Sequence, residues 1–486
     1  MDTDEFRKFG KIAIDYLANY LDTIRQRTVL PDVEPGYLQK CLPESAPQTG
    51  EHWSEIFAEL EKFVVPGLTH WHSPSFHAYI PTANSFAGIV GELMMAGIGG
   101  ITTTWDSNPA SVELELKMMD WLVKMLNLPE HFLNTSDGMG GGCIQNSASE
   151  STLLALQTAK RRLMDLSKED TLGQKLVAYT SDQSNSSVEK AALLASIVIR
   201  LLPTDTNGCL RGEVLKKSIN EDKEKGFVPC CVIATFGTTG ICSFDNVEEL
   251  AEICRSESIW LHIDAAYAGT ALVCPEYRYL MRGIDKVDSF NFNPHKWMRV
   301  NSDCSALWFK DTTYVEKLTS CEKVGSNPDD IPNIHLWQIP NCRRFRALKL
   351  WFVLRIQGVE GLRAHVRKQV GLANYFVELV KSDERFEVCT SNLGVITFRL
   401  KGPDGPTKLL LDKIREGRKI FVMPYCHLNK FMIRFVVCSS FTEKPDIDNS
   451  WRHIEDLANN IEYSKEEYIN PVLRTASMKD EIRRRN

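Results

Sequence analysis

No stretch of this sequence stays apolar over the length of a signal-peptide core or a membrane-crossing helix, so the chain is expected to be cytoplasmic with no membrane partner. Its fourteen cysteines contain no Cys-x-x-Cys pair, and Cys230-Cys231 sit inside an apolar run. They read as reduced thiols rather than a disulfide framework, and no metal site is expected. Basic charge is not in excess: the formal net charge is -6, which points away from nucleic acid as a partner. Internal repeats and low-complexity tracts are also missing, and the basic Arg483-Arg-Arg485 reads as a solvated tail.

What is present is a 486-residue chain with 43% hydrophobic and 25% charged residues, enough for two or three domains with a buried reactive site. Phe6, Phe9, Ile12, Ile14, Leu17, Tyr20 and Leu21 recur at helical spacing, and a second helical stretch runs from Trp53 to Val64. Residues 1–85 show no core of their own and are read as an arm that packs on something else. Residues 86–350 alternate short apolar strands with helical segments, the pattern of an α/β domain with a largely parallel sheet. The strands are predicted at Leu176–Tyr179, Ile197–Leu202, Cys230–Thr235, Trp260–Ile263, Ser289–Phe292 and Ala306–Phe309. Residues 351–486 read as a smaller α+β domain, with a helical run broken at Gly358 and strands at Val395–Phe398 and Phe431–Val437.

Three segments carry chemistry. Gly140-Gly-Gly142 leads to Ser147-Ala148-Ser149-Glu150 at a helix start, where free N–H groups and the helix dipole favour an anion and Ser147 with Glu150 has capping-box spacing. Trp260-Leu-His-Ile-Asp264-Ala-Ala266 is an apolar strand ending in a carboxylate, with a small residue that leaves room for a flat ring. Ser289–Phe292 delivers Asn293, His295 and Lys296. A lysine at the end of a buried strand loses solvation, which favours its nucleophilic free amine. An anion cradle, an acidic ring partner and an amine together suit pyridoxal 5'-phosphate.

These segments resemble the group II pyridoxal-phosphate decarboxylases, in particular the animal aromatic-L-amino-acid decarboxylases. The likeness runs from Phe6 to about Leu457 and includes Pro35-Gly-Tyr-Leu38, Thr69-His-Trp-His-Ser-Pro74, Ser181-Asp-Gln183 and Arg343-Arg-Phe-Arg346. It implies a fold-type I, aspartate-aminotransferase-like homodimer, with the N-terminal arm wrapped over the partner subunit. It also implies Lys296 as the Schiff-base lysine, Asp264 at the pyridine nitrogen, Thr239 beside the ring oxygen, and Ala148, Ser149, Asn293 and His295 at the phosphate. Trp71, His72, Tyr79 and Thr82 fall where the family frames the substrate, with His72 among the catalytic set.

The sequence departs from the family in four places. Asn185 replaces the histidine that stacks on the cofactor, and an amide cannot deliver a proton near neutral pH as imidazolium can. The loop between Lys310 and His335 is shortened, with Ser320 where the family has a tyrosine and Tyr314 the nearest tyrosine. Ile80 and Thr103 replace aromatic residues that face the substrate. Asn185 resembles the insect 3,4-dihydroxyphenylacetaldehyde synthases. The expected reaction is therefore decarboxylation of an aromatic L-amino acid, L-DOPA first, with oxidative deamination by O2 to give the aldehyde, CO2, NH3 and H2O2. The competing expectations are an ordinary amine-forming decarboxylase and a cofactor-binding homologue that has lost catalysis.

Overall fold

The computed structural model describes residues 1–80, 84–166, 175–320 and 331–461. Seven strands form the large sheet: β1 (Gly141–Gln145), β2 (Leu176–Ser181), β3 (Val198–Leu202), β4 (Val228–Thr235), β5 (Trp260–Asp264), β6 (Ser289–Phe292) and β7 (Ser305–Phe309). Their spatial order is β1-β7-β6-β5-β4-β2-β3. Only β7 runs against its neighbours, so the carboxyl ends of the other six point the same way.

Continuous apolar sequence makes these strands because helices cover both faces. Val232 and Ala234 of β4 join the core under helices Pro109–Leu126 and Val247–Ser256. The alternate residues Cys231 and Ile233 join the opposite core, under helices Ala148–Leu166 and Ser186–Ala195. Edge strand β3 is the least buried of the seven.

β1 was not anticipated. The glycine run expected to act as a phosphate loop is an edge strand instead, paired antiparallel with β7. A Cβ at Gly142 would strike the Trp308 indole, and one at Gly141 would strike Trp337, so these glycines serve close packing.

Four antiparallel strands make the second sheet, in the order β10-β11-β9-β8: β8 (Phe386–Asn392), β9 (Val395–Leu400), β10 (Met423–His427) and β11 (Lys430–Val436). Helix Arg346–Ser382 links the two layers, with Ala347 to Val366 in the first core and Ala373 to Val380 in the second. A domain division between residues 350 and 351 therefore falls inside this helix. Gly358, where a break was expected, has the non-helical φ 65° and ψ 171°, and the helix resumes beyond it, as the run from Arg363 to Leu379 led one to expect.

The N-terminal helix Thr3–Asp22 starts with a capping box between Asp2 and Glu5 and packs Phe9 on Trp53 and Phe57. Leu21 at its end is buried, whereas Phe6, Ile12, Ile14 and Leu17 are exposed. No helix among the described residues is long and apolar enough to cross a membrane, and no group of three or more potential metal ligands is found among them.

Candidate active site

The carboxyl ends of β2, β4, β5 and β6, and the turn after β1, converge on a cavity of about 200 Å3. Open α/β sheets bind ligands at this edge. Ile80, Ala148, Ser149, Asn185, Thr239, Asp264, Ala266, Asn293, His295 and Lys296 all line it, together with Ser147, Ser187, Thr235, Gly237 and Tyr267. Ten of the sequence-derived site residues are thus brought together from segments more than 200 positions apart.

At one end, helix Ala148–Leu166 points its N-terminus into the cavity. Ser147 Oγ accepts the Glu150 N–H at 3.3 Å and the Ser147 carbonyl accepts the Ser151 N–H at 3.0 Å, which leaves the Ala148 and Ser149 N–H groups for an anion. Glu150 does not close a capping box on Ser147; its carboxylate accepts from Asn146 N and Nδ2 at 3.1 and 2.6 Å. Opposite, His295 Nδ1 accepts the Cys304 N–H at 2.8 Å. Burial, with Lys296 nearby, pushes this imidazole down to about 4, so it is neutral and its one proton sits on Nε2 as a donor.

Arg346 ties the two sides of this cup together. Its Nε donates to Asp303 Oδ2 at 2.8 Å, next to Cys304, and its Nη2 donates to Asn146 Oδ1. Lys349, with its side chain fully buried, adds contacts to Asp303 at 3.4 Å and Glu92 at 2.9 Å.

At the other end, Lys296 lies on the short helix Pro294–Trp297 that follows β6. Enclosure holds its amine below the usual lysine range; Asp264 opposes that shift, and Arg434 adds to it. Asp264, nearly solvent-free, is pushed up by burial and drawn back by Lys296, by the Ala266 N–H at 3.0 Å and by Asn291. Each group favours the charged form of the other, and neither is fully solvated.

Two polar atoms on the cavity wall, Thr235 Oγ1 and Asn293 Oδ1, are buried without a hydrogen-bond partner among the described residues. A polar ligand would satisfy them.

Arg434, on β11, was missed by sequence reading. It is 3% exposed and donates from Nε to the Gly240 carbonyl at 3.0 Å and from Nη1 to the Tyr79 carbonyl at 2.7 Å, while Nη2 has no partner among the described residues. No carboxylate in the described chain pairs with it. The signal was present as a lone cation inside the apolar run Phe431-Met-Ile-Arg-Phe.

The remaining expected residues lie outside the cavity. Trp71 and Tyr79 are exposed and stack on each other, ring centres 5.4 Å apart. His72 is half-buried, its Nε2 3.3 Å from Asn84 Nδ2. Thr103 bonds to Ser107. Thr82 falls outside the described residues. Part of the expected loop is helical, Thr313–Thr319, with Tyr314 packed against the core under β7 and Ser320 as its C-cap.

The profile of the pyridoxal-dependent decarboxylase conserved domain matches residues 35–401. The chain belongs to the pyridoxal-dependent decarboxylase family. Rat aromatic-L-amino-acid decarboxylase is 48% identical over 95% of this chain and 99% of its own, and a 3,4-dihydroxyphenylacetaldehyde synthase of Aedes aegypti is 45% identical over 94% and 90%. The crystal structure of Catharanthus roseus tryptophan decarboxylase in complex with L-tryptophan superposes with a TM-score of 0.90 at 38% identity, covering 94% of this chain and 99% of that one.

The fold is accordingly fold-type I and the cofactor pyridoxal 5'-phosphate. The cavity suits that molecule. Paired N–H donors and the neutral His295 form an anion cup at one end, an amine and a carboxylate stand at the other, and the orphaned Asn293 and Thr235 oxygens lie between.

Proposed function

We propose that this enzyme decarboxylates an aromatic L-amino acid, L-DOPA first, and oxidatively deaminates it in the same site. One amino acid, one O2 and one water give 3,4-dihydroxyphenylacetaldehyde, CO2, NH3 and H2O2. When bound, pyridoxal phosphate supplies the electron sink for the pair released with CO2. Lys296 supplies the attaching amine, Asp264 holds a proton on the pyridine nitrogen, and Arg434 receives the substrate carboxylate.

The observation that carries the aldehyde reading is Asn185. Its amide lines the cavity with both ends engaged, Nδ2 on Thr239 Oγ1 and Oδ1 on the Ser187 N–H. An amide so held gives no proton to the substrate's Cα, which leaves that carbon open to O2.

The same contacts favour a second reading. Asn185 caps helix Ser186–Ala195, and an enzyme using it only for that purpose would release the amine. Loss of catalysis is the least supported reading, since Lys296 and Asp264 face one cavity.

Incubating the purified protein with L-DOPA under air separates the three. Aldehyde and peroxide in equal amounts support the synthase, dopamine without peroxide supports the decarboxylase, and no CO2 supports loss of catalysis.

The partner we propose is a second copy of the chain. Exposed Phe6, Ile14 and Leu17 on the N-terminal helix, and Phe86, Leu93 and Ile98 on helix Phe86–Ile98, form apolar surface of the kind a subunit interface covers. Residues 1–85 act in this reading as a dimerisation arm, beside the cofactor domain and the C-terminal domain, and the exposed Trp71 and Tyr79, with the half-buried Thr103, meet the partner's cavity. Sedimentation at micromolar concentration tests it, with a mass of twice 55.1 kDa expected.

A further inference from the structure

Asp264 stands at the end of a row of buried polar side chains that spans two strands. β5 and β6 run parallel with His262 beside Ser289 and Asp264 beside Asn291. Side chains two apart share a face of the sheet, so Trp260, His262 and Asp264 lie alongside Ser289 and Asn291. Trp260 Nε1 is 2.8 Å from Ser289 Oγ, His262 Nδ1 is 2.8 Å from the same oxygen, and His262 Nε2 is 2.9 Å from Asn291 Oδ1. All four are buried.

The direction of every bond in this row follows from its first member. An indole N–H can only donate, so Ser289 Oγ accepts from Trp260, and its own proton goes to His262 Nδ1, its one other partner among the described residues. Burial pushes His262 down to about 4, so the ring carries one proton. With Nδ1 accepting, that proton is on Nε2, and it goes to Asn291 Oδ1. The Asn291 amide is thereby fixed with its NH2 as the donor side. Nδ2 has no hydrogen-bond partner among the described residues and stands beside Asp264 in the register of the two strands, where Asn291 helps to draw that carboxyl back towards the charged form.

We propose that Trp260, Ser289, His262 and Asn291 are positioning residues that present a fixed N–H donor to Asp264 and so keep the shared proton on the pyridine nitrogen of the bound cofactor. A donor on the carboxylate lowers its hold on that proton, and a protonated ring is the stronger electron sink. The inference rests on the assignment of Asp264 as the ring's partner.

The test is the ring-nitrogen resonance of holoenzyme reconstituted with 15N-labelled pyridoxal phosphate, read beside kcat and melting temperature. His262→Leu is expected to move the resonance towards that of neutral pyridine and to lower kcat about tenfold. His262→Gln, whose amide can accept from Ser289 and donate to Asn291, is expected to stay at the wild-type position. Trp260→Phe removes only the donor that sets the direction, and an intermediate shift is expected. An unmoved resonance in His262→Leu, while Asp264→Asn shifts it, overturns the relay. Should His262→Leu fail to fold, an unmoved resonance in Trp260→Phe overturns it equally. An unmoved resonance in Asp264→Asn removes the assignment of Asp264, and the relay with it.

Discussion

Asn185 Nδ2 donates to Thr239 Oγ1 at 2.9 Å, joining the turn after β2 to the loop after β4 across the mouth of the cavity. Tyr425 of the small sheet holds the same turn, its hydroxyl donating to Gln183 Oε1 at 2.7 Å. Asn185 is therefore fixed from several sides.

Asn185→His is expected to shift product from aldehyde towards amine, because imidazolium can deliver the proton that the amide withholds. The measurement is dopamine against peroxide per CO2 released from L-DOPA. The fold should tolerate the change. His52 caps another helix of this chain by accepting the Ser54 N–H, and replacing a good cap costs about 1 kcal/mol. Unchanged amine output would remove the role given to Asn185.

Arg434→Met is expected to lower kcat/KM about 10- to 100-fold, the worth of a charge-assisted hydrogen bond to a carboxylate. Binding of a substrate methyl ester, which lacks that charge, should hardly change between wild type and variant. Equal losses for acid and ester would mean that Arg434 acts through packing.

Arg346→Met should weaken cofactor binding about tenfold or more, since it unties Asn146 from Asp303 and leaves that carboxylate only the longer contacts from Lys349 and Arg344. Titration of the apoprotein with pyridoxal phosphate and with unphosphorylated pyridoxal distinguishes the causes. Loss confined to the phosphorylated form places the defect in the anion cup.

Stability of the apoprotein should fall as pH drops from about 6.5 to about 4. His77, His262 and His295 are pushed down to about 4 by burial and His365 to about 3, against an ordinary value of 6.5. In that window the unfolded chain binds protons that the folded chain refuses, so acid favours unfolding. Asp245 works the other way: burial raises it to about 7 from 3.8, so its folded form gains protons first as pH falls. Burial raises Asp264 and Asp288 as well and lowers His72, His131 and His335; the histidines outweigh the carboxyls, and the urea midpoint should be lower at pH 4.5 than at 6.5.

The strands at the heart of the fold were legible because each is an apolar run bounded by turns. β1 was not, since Gly141 and Gly142 carry no side chain from which a strand can be read and their small size answers to Trp337 and Trp308 far along the chain. The helix Thr313–Thr319, inside a segment read as loop, was not legible because it depends on packing under β7.

Sequence alone singled out Lys296, Asp264 and Ser147-Ala148-Ser149 as candidates, because each sits at the end of an element whose local pattern can be read, and all of them line one cavity. Tertiary structure decided what surrounds them. β11 brings Arg434 close enough to act on the Lys296 amine, and Thr239 lies 2.9 Å from Asn185. Such contacts join residues 54 to 138 positions apart, and no local propensity encodes a distance of that kind.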